Sequence, residues 1–447
     1  MPTRLDRLCI SLTGQDALVV YHQLQAIYYN LVTWCLVTLG HRTVRDHLEP
    51  ESNVLPPTKA AATAVLVLSP GGLERLSLEP LPSNVATVGY NVQCSRHPGC
   101  NSLAYIDTLP ADCAVVRISS CSVNYADVTI RWGLYESAIR FVGYPICPGF
   151  DFCGVVERAG PDAGVSPGDA VFGITFFGAY SSRLLVPGRQ LRSKPPNMSA
   201  NEWAALPSVA GTALHSLKLA GFWPSKPLTN NKAVLVHSAA GGVGSMLVQM
   251  AKNLGCAPVV GVVGSSHKVD ACRTIGADVV IDKSATGEEL WHAAEQAAPA
   301  GYAAIFDANG VATLAESYAH LAQTGTLVIY GFHTNLPSAA SLSPLAWVRM
   351  AVGMARMPKF EPMDLVLSSK QVSGFNLSFF SEEHALVEAY MDQIVQWATQ
   401  GKLRVPQVTA FSLDHAPQAH SLISSGKSVG KIVLNPNDAA LDCHQRL

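Results

Sequence analysis

The chain has 447 residues, 48% of them hydrophobic and 14% charged, with a formal net charge of -2. That length accommodates two or three domains around a large core, and the near-neutral balance leaves no electrostatic footprint for nucleic acid. Eleven cysteines, odd in number and scattered from Cys9 to Cys443, fit free thiols in a reducing, cytoplasmic compartment rather than a disulfide framework.

Residues 1–60 read as an extension ending in a linker. Between 17 and 40 there is no Asp, Glu, Lys or Arg, a length able to span a bilayer. His22, Gln23, Gln25, Asn30 and Thr33 nevertheless share one face at helical spacing, largely opposite Leu18, Tyr21, Leu24, Tyr28, Leu31, Cys35 and Leu39. The spacing predicts an amphipathic helix, and membrane contact stays open beside the alternatives of a helix packed on the body of the protein or an ill-ordered tail. Pro50, Pro56 and Pro57 mark 41–58 as linker.

Segments 64–68 and 76–78 are strand-like around the turn Ser69-Pro70-Gly71-Gly72. The stretch 83–110 has no sustained period and reads as a surface insertion before a strand at 113–118. Within it Cys94, His97 and Cys100 match no zinc spacing, so no metal site is expected there. Helical spacing over 124–132 places Asn124, Asp127 and Arg131 on one face, with Asp127 and Arg131 set to pair at i+4. From 145 to 173, glycines between short apolar runs indicate a β-rich domain with tight corners.

Beyond the capping box formed by Ser199 and Glu202, the pattern changes. An apolar run at 233–237 reads as a strand, Ser238-Ala239-Ala240-Gly241-Gly242-Val243-Gly244 as a tight turn, and Met246, Leu247, Met250, Ala251 and Leu254 as one face of a helix. Such a turn aims unpaired N–H groups and the positive end of the helix dipole above the strand, where glycines let a diphosphate approach the backbone. Strands at 258–263, 279–282, 303–307 and 326–330 then alternate with helices at 268–276, 288–298 and 312–321, which describes a parallel sheet covered on both faces. Helices at 347–357, 382–400 and 416–424, a Pro-containing connection at 358–362 and a strand at 431–434 complete the chain.

A site selective for NAD places an acid about twenty residues beyond the glycines, on the ribose 2′-OH. Here that position is Gly264-Ser265-Ser266, without an acid, and Asp270 lies inside the following helix. Ser265 and Ser266 can donate to a 2′-phosphate and Lys268 supplies a cation, so the cofactor expected is NADPH.

Taken together, these stretches resemble the medium-chain dehydrogenase/reductase superfamily, in its zinc-free quinone oxidoreductase (zeta-crystallin-like) branch and nearest to the vesicle amine transport protein 1 (VAT-1) group. The likeness is carried by Val123-Asn124-Tyr125-Ala126-Asp127, Arg131-Trp132-Gly133-Leu134-Tyr135, Pro148-Gly149 with Gly154, Ala239 to Gly244 with Gln249, Val372-Ser373-Gly374-Phe375-Asn376-Leu377 and Gly430-Lys431-Ile432-Val433-Leu434. It covers about 64–436. Asp151 and Thr129 depart from it, standing where the family usually has Glu and where some quinone reductases have Tyr.

The resemblance implies an α/β fold in which a Rossmann doubly wound parallel sheet is inserted in a β-rich GroES-like catalytic domain. The implied divisions are an extension at 1–60, catalytic parts at 61–200 and 341–437, the NADPH-binding domain at 201–340 and a tail at 438–447. It also implies that Ala240, Gly241, Gly242, Val243 and Gly244 hold the pyrophosphate, Ser265, Ser266 and Lys268 the ribose phosphate, and Thr212 and Gly331 the remainder of the cofactor. Asn124, Asp127, Arg131 and Tyr135 would line the substrate end. Asn124 and Tyr135 suit donation to an oxyanion, although Tyr135 as an aromatic packed at the Gly133 turn stays an equal alternative. His215 and His420 read as structural. The expected activity is hydride transfer from NADPH to a quinone or α,β-unsaturated carbonyl, without zinc, by a homodimer. The alternative is a membrane-associated, NADPH-binding protein of vesicle or lipid traffic with little or no catalysis.

Overall fold

The computed structural model describes residues 62–223, 232–335 and 344–436. The helix expected at 17–40, the linker at 41–58 and the tail at 438–447 lie outside them. Strand β1 (Ala62–Val67) pairs antiparallel with β2 (Leu76–Leu81). The turn between them is fastened to the rest of the domain by Arg131, whose carbonyl accepts from Gly71 N and whose Nη1 donates to the Gly71 carbonyl, both at 2.8 Å.

Eight strands follow: β3 (Val85–Val88), β4 (Arg96–His97), β5 (Cys100–Tyr105), β6 (Cys113–Val123), β7 (Asp151–Ala159), β8 (Ala170–Ile174), β9 (Arg183–Pro187) and β10 (Leu191–Ser193). They share one sheet in the order β10-β8-β7-β6-β9-β3-β5-β4. The reading of 83–110 as a surface insertion is therefore corrected. Strand β3 lies between β9 and β5, with Val85, Ala86, Thr87 and Val88 all buried. A strand of four residues covered on both faces shows no alternation, and its one polar member hides its hydroxyl against the Gly178 carbonyl at 2.7 Å.

The second sheet contains β11 (Val234–Val236), β12 (Val259–Val263), β13 (Val279–Asp282), β14 (Tyr302–Asp307), β15 (Leu321–Ile329) and β16 (Gln371–Gly374), all parallel, in the order β13-β12-β11-β14-β15-β16. This is the doubly wound dinucleotide-binding arrangement, whose order reverses beside β11. The connection expected at 358–362 runs on into a helix at Pro362–Ser368 and then β16, neither of which the sequence pattern showed. As an edge strand only half covered, with Gln371 and Ser373 in it, β16 has no apolar run; its pairing with β15 defines it. The helix Gly242–Asn253 buries Met246, Leu247, Met250 and Ala251 in the main core. Each of the three large ones contributes about 1.5–3 kcal/mol by leaving water. The chain then returns to the first sheet through β17 (Val408–Ser412) and β18 (Lys431–Asn435), and β18 pairs with β6. The Rossmann unit is thus inserted in a GroES-like domain made from both flanks.

Two helices link the halves. Pro207–Leu219 carries His215, which shares a 2.7 Å hydrogen bond with the Tyr390 hydroxyl of the helix His384–Thr399 and packs against the rings of Phe375 and Phe380. Burial pushes the imidazole down to about 4, with Lys218 adding to it. Between there and the unfolded value near 6.5 the folded protein binds fewer protons than the unfolded chain, so this contribution is whole above about pH 6.5 and disappears as pH falls toward 4. Thermal unfolding at pH 7 and pH 5 checks it: His215→Gln, which keeps a partner for Tyr390 and does not titrate, is expected to lose less melting temperature on acidification than the wild type. An equal loss in both proteins would remove His215 from the account.

Candidate active site between the two sheets

Strand β11 ends at Val236, and the chain turns through Ser238, held in the left-handed region at φ 53° with its hydroxyl on Asn309 Oδ1. Gly241 N closes that turn on the Ser238 carbonyl at 2.9 Å. Among the described residues no backbone carbonyl accepts from the N–H groups of Gly242, Val243 and Gly244, which open the following helix. Glycine is needed at Gly244 for packing: a Cβ there would lie 2.3 Å from the Ser238 carbonyl oxygen. At Gly242 a Cβ would fill the space between Val209 Cγ1 and Lys431 Cδ, at 3.0 and 3.1 Å. The turn therefore presents a bare, positively polarised cradle at the junction of the two sheets.

Lys431, 3% exposed, is a site residue that the sequence reading did not assign. Its Nζ donates to Asn124 Oδ1 at 2.7 Å and to the Val123 carbonyl at 3.1 Å. The signal was one lysine opening an otherwise apolar strand, which composition alone does not separate from a solvated strand end. Asn124 in turn donates through Nδ2 to Asp151 Oδ2 at 2.8 Å and Ser122 Oγ at 3.2 Å. Both amide hydrogens are committed, so the expectation that Asn124 donates to a substrate oxyanion is corrected: it is a spacer between Lys431 and Asp151. Asp151, fully buried, also accepts from Ser122 Oγ at 2.6 Å and from Ser208 N at 2.5 Å, at the positive end of the helix Pro207–Leu219.

Asp127 and Arg131 do not form the ion pair expected of them. Asp127 turns back to cap its own helix, Tyr125–Arg131, accepting from Asn124 N at 2.8 Å, from Gly149 N at 2.9 Å and from the Tyr180 hydroxyl at 3.2 Å. Burial pushes its carboxyl up to about 7, against those N–H groups and the Lys431 charge. Arg131, equally buried, points the other way to Gly71, with its guanidinium 4.7 Å from the Trp132 ring centre. The helical spacing was right, but a capping residue three positions after Asn124 is drawn to the helix start before it can reach Arg131.

Tyr135 faces an aromatic enclosure. Its ring lies edge-on to Phe150 and Phe177, with centres 6.1 and 6.3 Å away, and Tyr90, Phe141, Phe176 and Phe379 continue the wall. Its hydroxyl donates to Asn376 Oδ1 at 3.0 Å. Burial, opposed by hydrogen bonding with Ser378 and Asn376, pushes the phenol up to about 12, so it is protonated at neutral pH. These rings come from five separate stretches of chain, which is why no local sequence pattern revealed them. The Thr129 hydroxyl bonds back to the Ala126 carbonyl. His420, fully buried, shares a hydrogen bond with the Tyr180 hydroxyl at 3.2 Å.

On the nucleotide side, Thr212 lies half-buried in the helix Pro207–Leu219, and Gly331 follows β15 against Ala308. Ser265 caps a short turn after β12, and Lys268 Nζ donates to the Gly426 carbonyl at 2.6 Å, its pKa lowered by burial. Asp270 interacts with Arg273. Contrary to the expectation from sequence distance, an acid does stand here: Ser266 Oγ donates to Asp282 Oδ2 at 2.5 Å. Parallel pairing of β12 with β13 sets Val263 beside Asp282, bringing an acid 16 residues away to the same strand end.

Two sequence families match the chain: residues 110–196 as "Alcohol dehydrogenase GroES-like domain" and 242–392 as "Zinc-binding dehydrogenase". The chain belongs to the medium-chain dehydrogenase/reductase superfamily. Within that superfamily it is similar to the synaptic vesicle membrane protein VAT-1 homologues of Danio rerio, 27% identical over 324 residues, and Homo sapiens, 28% identical over 326. Each match takes in 72% of this chain, with 63% of the zebrafish protein and 78% of the human one. It is also similar to 2-methylene-furan-3-one reductase of Solanum lycopersicum, 31% identical over 187 residues, 40% of this chain and 46% of that enzyme. Among solved structures, quinone oxidoreductase of Pseudomonas syringae superposes with a TM-score of 0.66 at 23% identity. Quinone oxidoreductase of Escherichia coli complexed with NADPH superposes with 0.65 at 21%. Both cover 84% of this chain and 100% of their own, and they establish the fold.

Proposed function

We propose that this protein is an NADPH-dependent oxidoreductase that reduces a quinone or an α,β-unsaturated carbonyl without zinc. The observation that carries the reading is the juxtaposition at one cleft of a bare glycine cradle, a buried lysine beneath it and a protonated tyrosine inside an aromatic enclosure. The cradle fits a dinucleotide, because the N–H groups of Gly242, Val243 and Gly244 have no backbone acceptor among the described residues and are free to meet a pyrophosphate. Ala240, Gly241, Gly242, Val243 and Gly244 would hold the pyrophosphate, Ser265 and Lys268 the ribose phosphate, with Ser266 joining them on turning its hydroxyl from Asp282, and Thr212 and Gly331 the nicotinamide half. When bound, NADPH supplies a hydride from nicotinamide C4.

The protein's own part is to seat the acceptor and meet the charge that develops on its oxygen. Tyr135 keeps its proton at neutral pH and donates to that oxygen, and Phe150 and Phe177, packed on the Tyr135 ring and buried, exclude water from it. Lys431, Asn124 and Asp151 tie β18, β6 and the helix Pro207–Leu219 together beneath the cradle, fixing one half of the cleft against the other. Zinc-dependent relatives place a Cys where this chain has Asn124 and a His-Glu pair where it has Phe150-Asp151. Here the Asp151 oxygens are engaged by Ser122, Asn124 and Ser208, and among the described residues no group of three or more His, Cys, Asp and Glu could hold a metal.

Oxidation of NADPH and of NADH with a panel of quinones and enones tests the reading. Lys268→Ala is expected to weaken NADPH about tenfold and leave NADH nearly unchanged, since one charge-assisted contact is worth about 1.5–3 kcal/mol and Lys268 already shares its charge with the Gly426 carbonyl. An unchanged ratio of the two dissociation constants would show that Lys268 does not meet the phosphate. The likeness to VAT-1 homologues favours a second reading, an NADPH-binding, membrane-associated protein with little catalysis. No helix among the described residues is long and apolar enough to cross a membrane; in this reading contact is made through 17–40, the stretch without Asp, Glu, Lys or Arg. Cofactor binding without turnover, together with loss of membrane partition on removing 1–58, would favour it. A homodimer, carried by family likeness, is checked by light scattering.

A further inference from the structure

After β16 the chain leaves the nucleotide-binding sheet and crosses the cleft. Asn376 Oδ1 accepts from the Tyr135 hydroxyl at 3.0 Å, the Ser378 carbonyl accepts from the Tyr90 hydroxyl at 2.8 Å, and Ser378 Oγ meets Ser137 Oγ at 2.6 Å. Leu377 reaches the other wall, its Cδ1 3.7 Å from where a Cβ on Gly211 would stand, beside Thr212. Phe379 lies edge-on to Phe141 with centres 5.6 Å apart. What remains beside this segment is an apolar cavity of about 30 Å³ bounded by Phe176, Gly211, Leu377 and Tyr390, room for about one water. Segment 376–380 thus stands between Tyr135 and the helix that carries Thr212, and against the Tyr135 hydroxyl it sets an sp² oxygen of a side-chain amide.

We infer that segment 376–380 is an internal occupant of the acceptor seat, in which the Asn376 amide holds the place of the substrate carbonyl at Tyr135 and is displaced when an acceptor enters. The inference rests on the reductase reading for the role given to Tyr135. Its physical basis is that the polar contacts holding the segment, to Tyr135, Tyr90 and Ser137, are ones an acceptor can replace, while its apolar contacts run through Leu377, Phe379 and Phe380. Asn376 and Leu377 are half-buried, Phe379 is 38% exposed, and the single turn Leu377–Phe379 is capped by Asn376 itself, through Ser378 N at 3.0 Å. The turn therefore carries part of its own order when it moves. The occupant also sets specificity. An acceptor gains by offering Tyr135 a carbonyl oxygen in place of the amide, whereas a ligand without that oxygen leaves the tyrosine hydroxyl unpaired in a buried site.

A hydrogen bond of this kind shifts a two-state equilibrium about two- to tenfold, and a seat open for only part of the time raises the apparent dissociation constant in proportion. Asn376→Ala is therefore expected to lower KM for duroquinone about two- to tenfold with kcat nearly unchanged. An unchanged or raised KM would overturn the inference. The second variant closes the seat. Ser137→Cys with Ser378→Cys, oxidised with copper phenanthroline and verified by loss of two titratable thiols, is expected to bind NADPH as the wild type does. It should lose duroquinone turnover and duroquinone binding at least tenfold, and regain both on reduction. Full turnover or binding in the cross-linked protein would overturn the inference. If the wild type consumes no NADPH with any acceptor, the reductase reading fails by itself. The duroquinone-binding arm then decides: binding blocked by the cross-link supports the occupant, and undiminished or absent binding in all forms overturns it.

Discussion

Replacing Gly244 with alanine is expected to weaken NADPH binding more than a hundredfold and to lower stability as well. The added Cβ would stand 2.3 Å from the Ser238 carbonyl oxygen and 2.8 Å from Ala239 Cα, both backbone atoms at the end of β11 that no rotamer change can clear. The helix Gly242–Asn253 must therefore move away from the sheet, against a face on which Met246, Leu247 and Met250 are fully buried, at a cost of about 1–3 kcal/mol. The same movement misaims the N–H groups of Gly242, Val243 and Gly244. Contacts from such groups to a charged phosphate are worth about 1.5–3 kcal/mol each, so losing two of them exceeds a hundredfold in affinity. Gly241→Ala is the control. Its Cβ would approach only the Ser238 carbonyl, at 3.2 Å, and its backbone, φ -82° and ψ -179°, suits any residue. Titration of NADPH fluorescence with both variants separates the outcomes, and equal affinities would show that the cradle does not depend on the close approach of helix and strand.

The glycine turn was legible because its three parts are contiguous. A strand, a turn and a helix follow one another within 20 residues, and local periodicity reports each of them. The same holds for the alternation that builds β12 to β15. Elements defined by distant pairing were not legible. Strand β3 is identified by β9 and β5, and β16 by β15, while neither carries a pattern of its own. At the site the difference is sharper. Helical spacing brings Asn124, Asp127 and Arg131 to one face and the family resemblance adds Tyr135, yet their roles depend on partners 22 to 307 positions away: Gly149 for Asp127, Gly71 for Arg131, Asn376 for Tyr135, Lys431 for Asn124. Spacing says which side chains share a face. It does not say whether that face meets a cleft, a turn or another strand, and a capping interaction three residues long outcompeted the expected ion pair. Asp282 beside Ser266 is the same lesson in the cofactor site, because parallel register rather than sequence distance brings them together.

Lys431→Met is expected to destabilise the protein by about 2–4 kcal/mol. Methionine keeps most of the apolar stem that lies beneath Gly242, so the loss is chiefly electrostatic. Without the ammonium, Asn124 Oδ1 and the Val123 carbonyl lose their donor, and each unsatisfied buried acceptor costs about 1–3 kcal/mol. The larger consequence falls on the carboxylates. Asp151 is fully buried and Asp127 likewise, and Lys431 is the cation that stabilises the charged form of Asp127, whose carboxyl burial already pushes up to about 7. Removing the cation raises the cost of ionisation further, and the cluster joins β18, β6 and the helix Pro207–Leu219, so the damage is felt at the hinge of the cleft rather than at one strand end. Chemical denaturation of wild type and variant, with the slope against denaturant compared to verify that the same surface is exposed, measures the effect. Coupling makes the test specific. Asp151→Asn in the Lys431→Met background removes one of the two carboxyl groups that Lys431 faces, so the double variant is expected to be less destabilised than the sum of the single ones by about 1 kcal/mol or more. Strict additivity would mean that Lys431 and Asp151 act independently, and a single-variant loss below about 1 kcal/mol would mean that the lysine is not the counter-charge of this cluster.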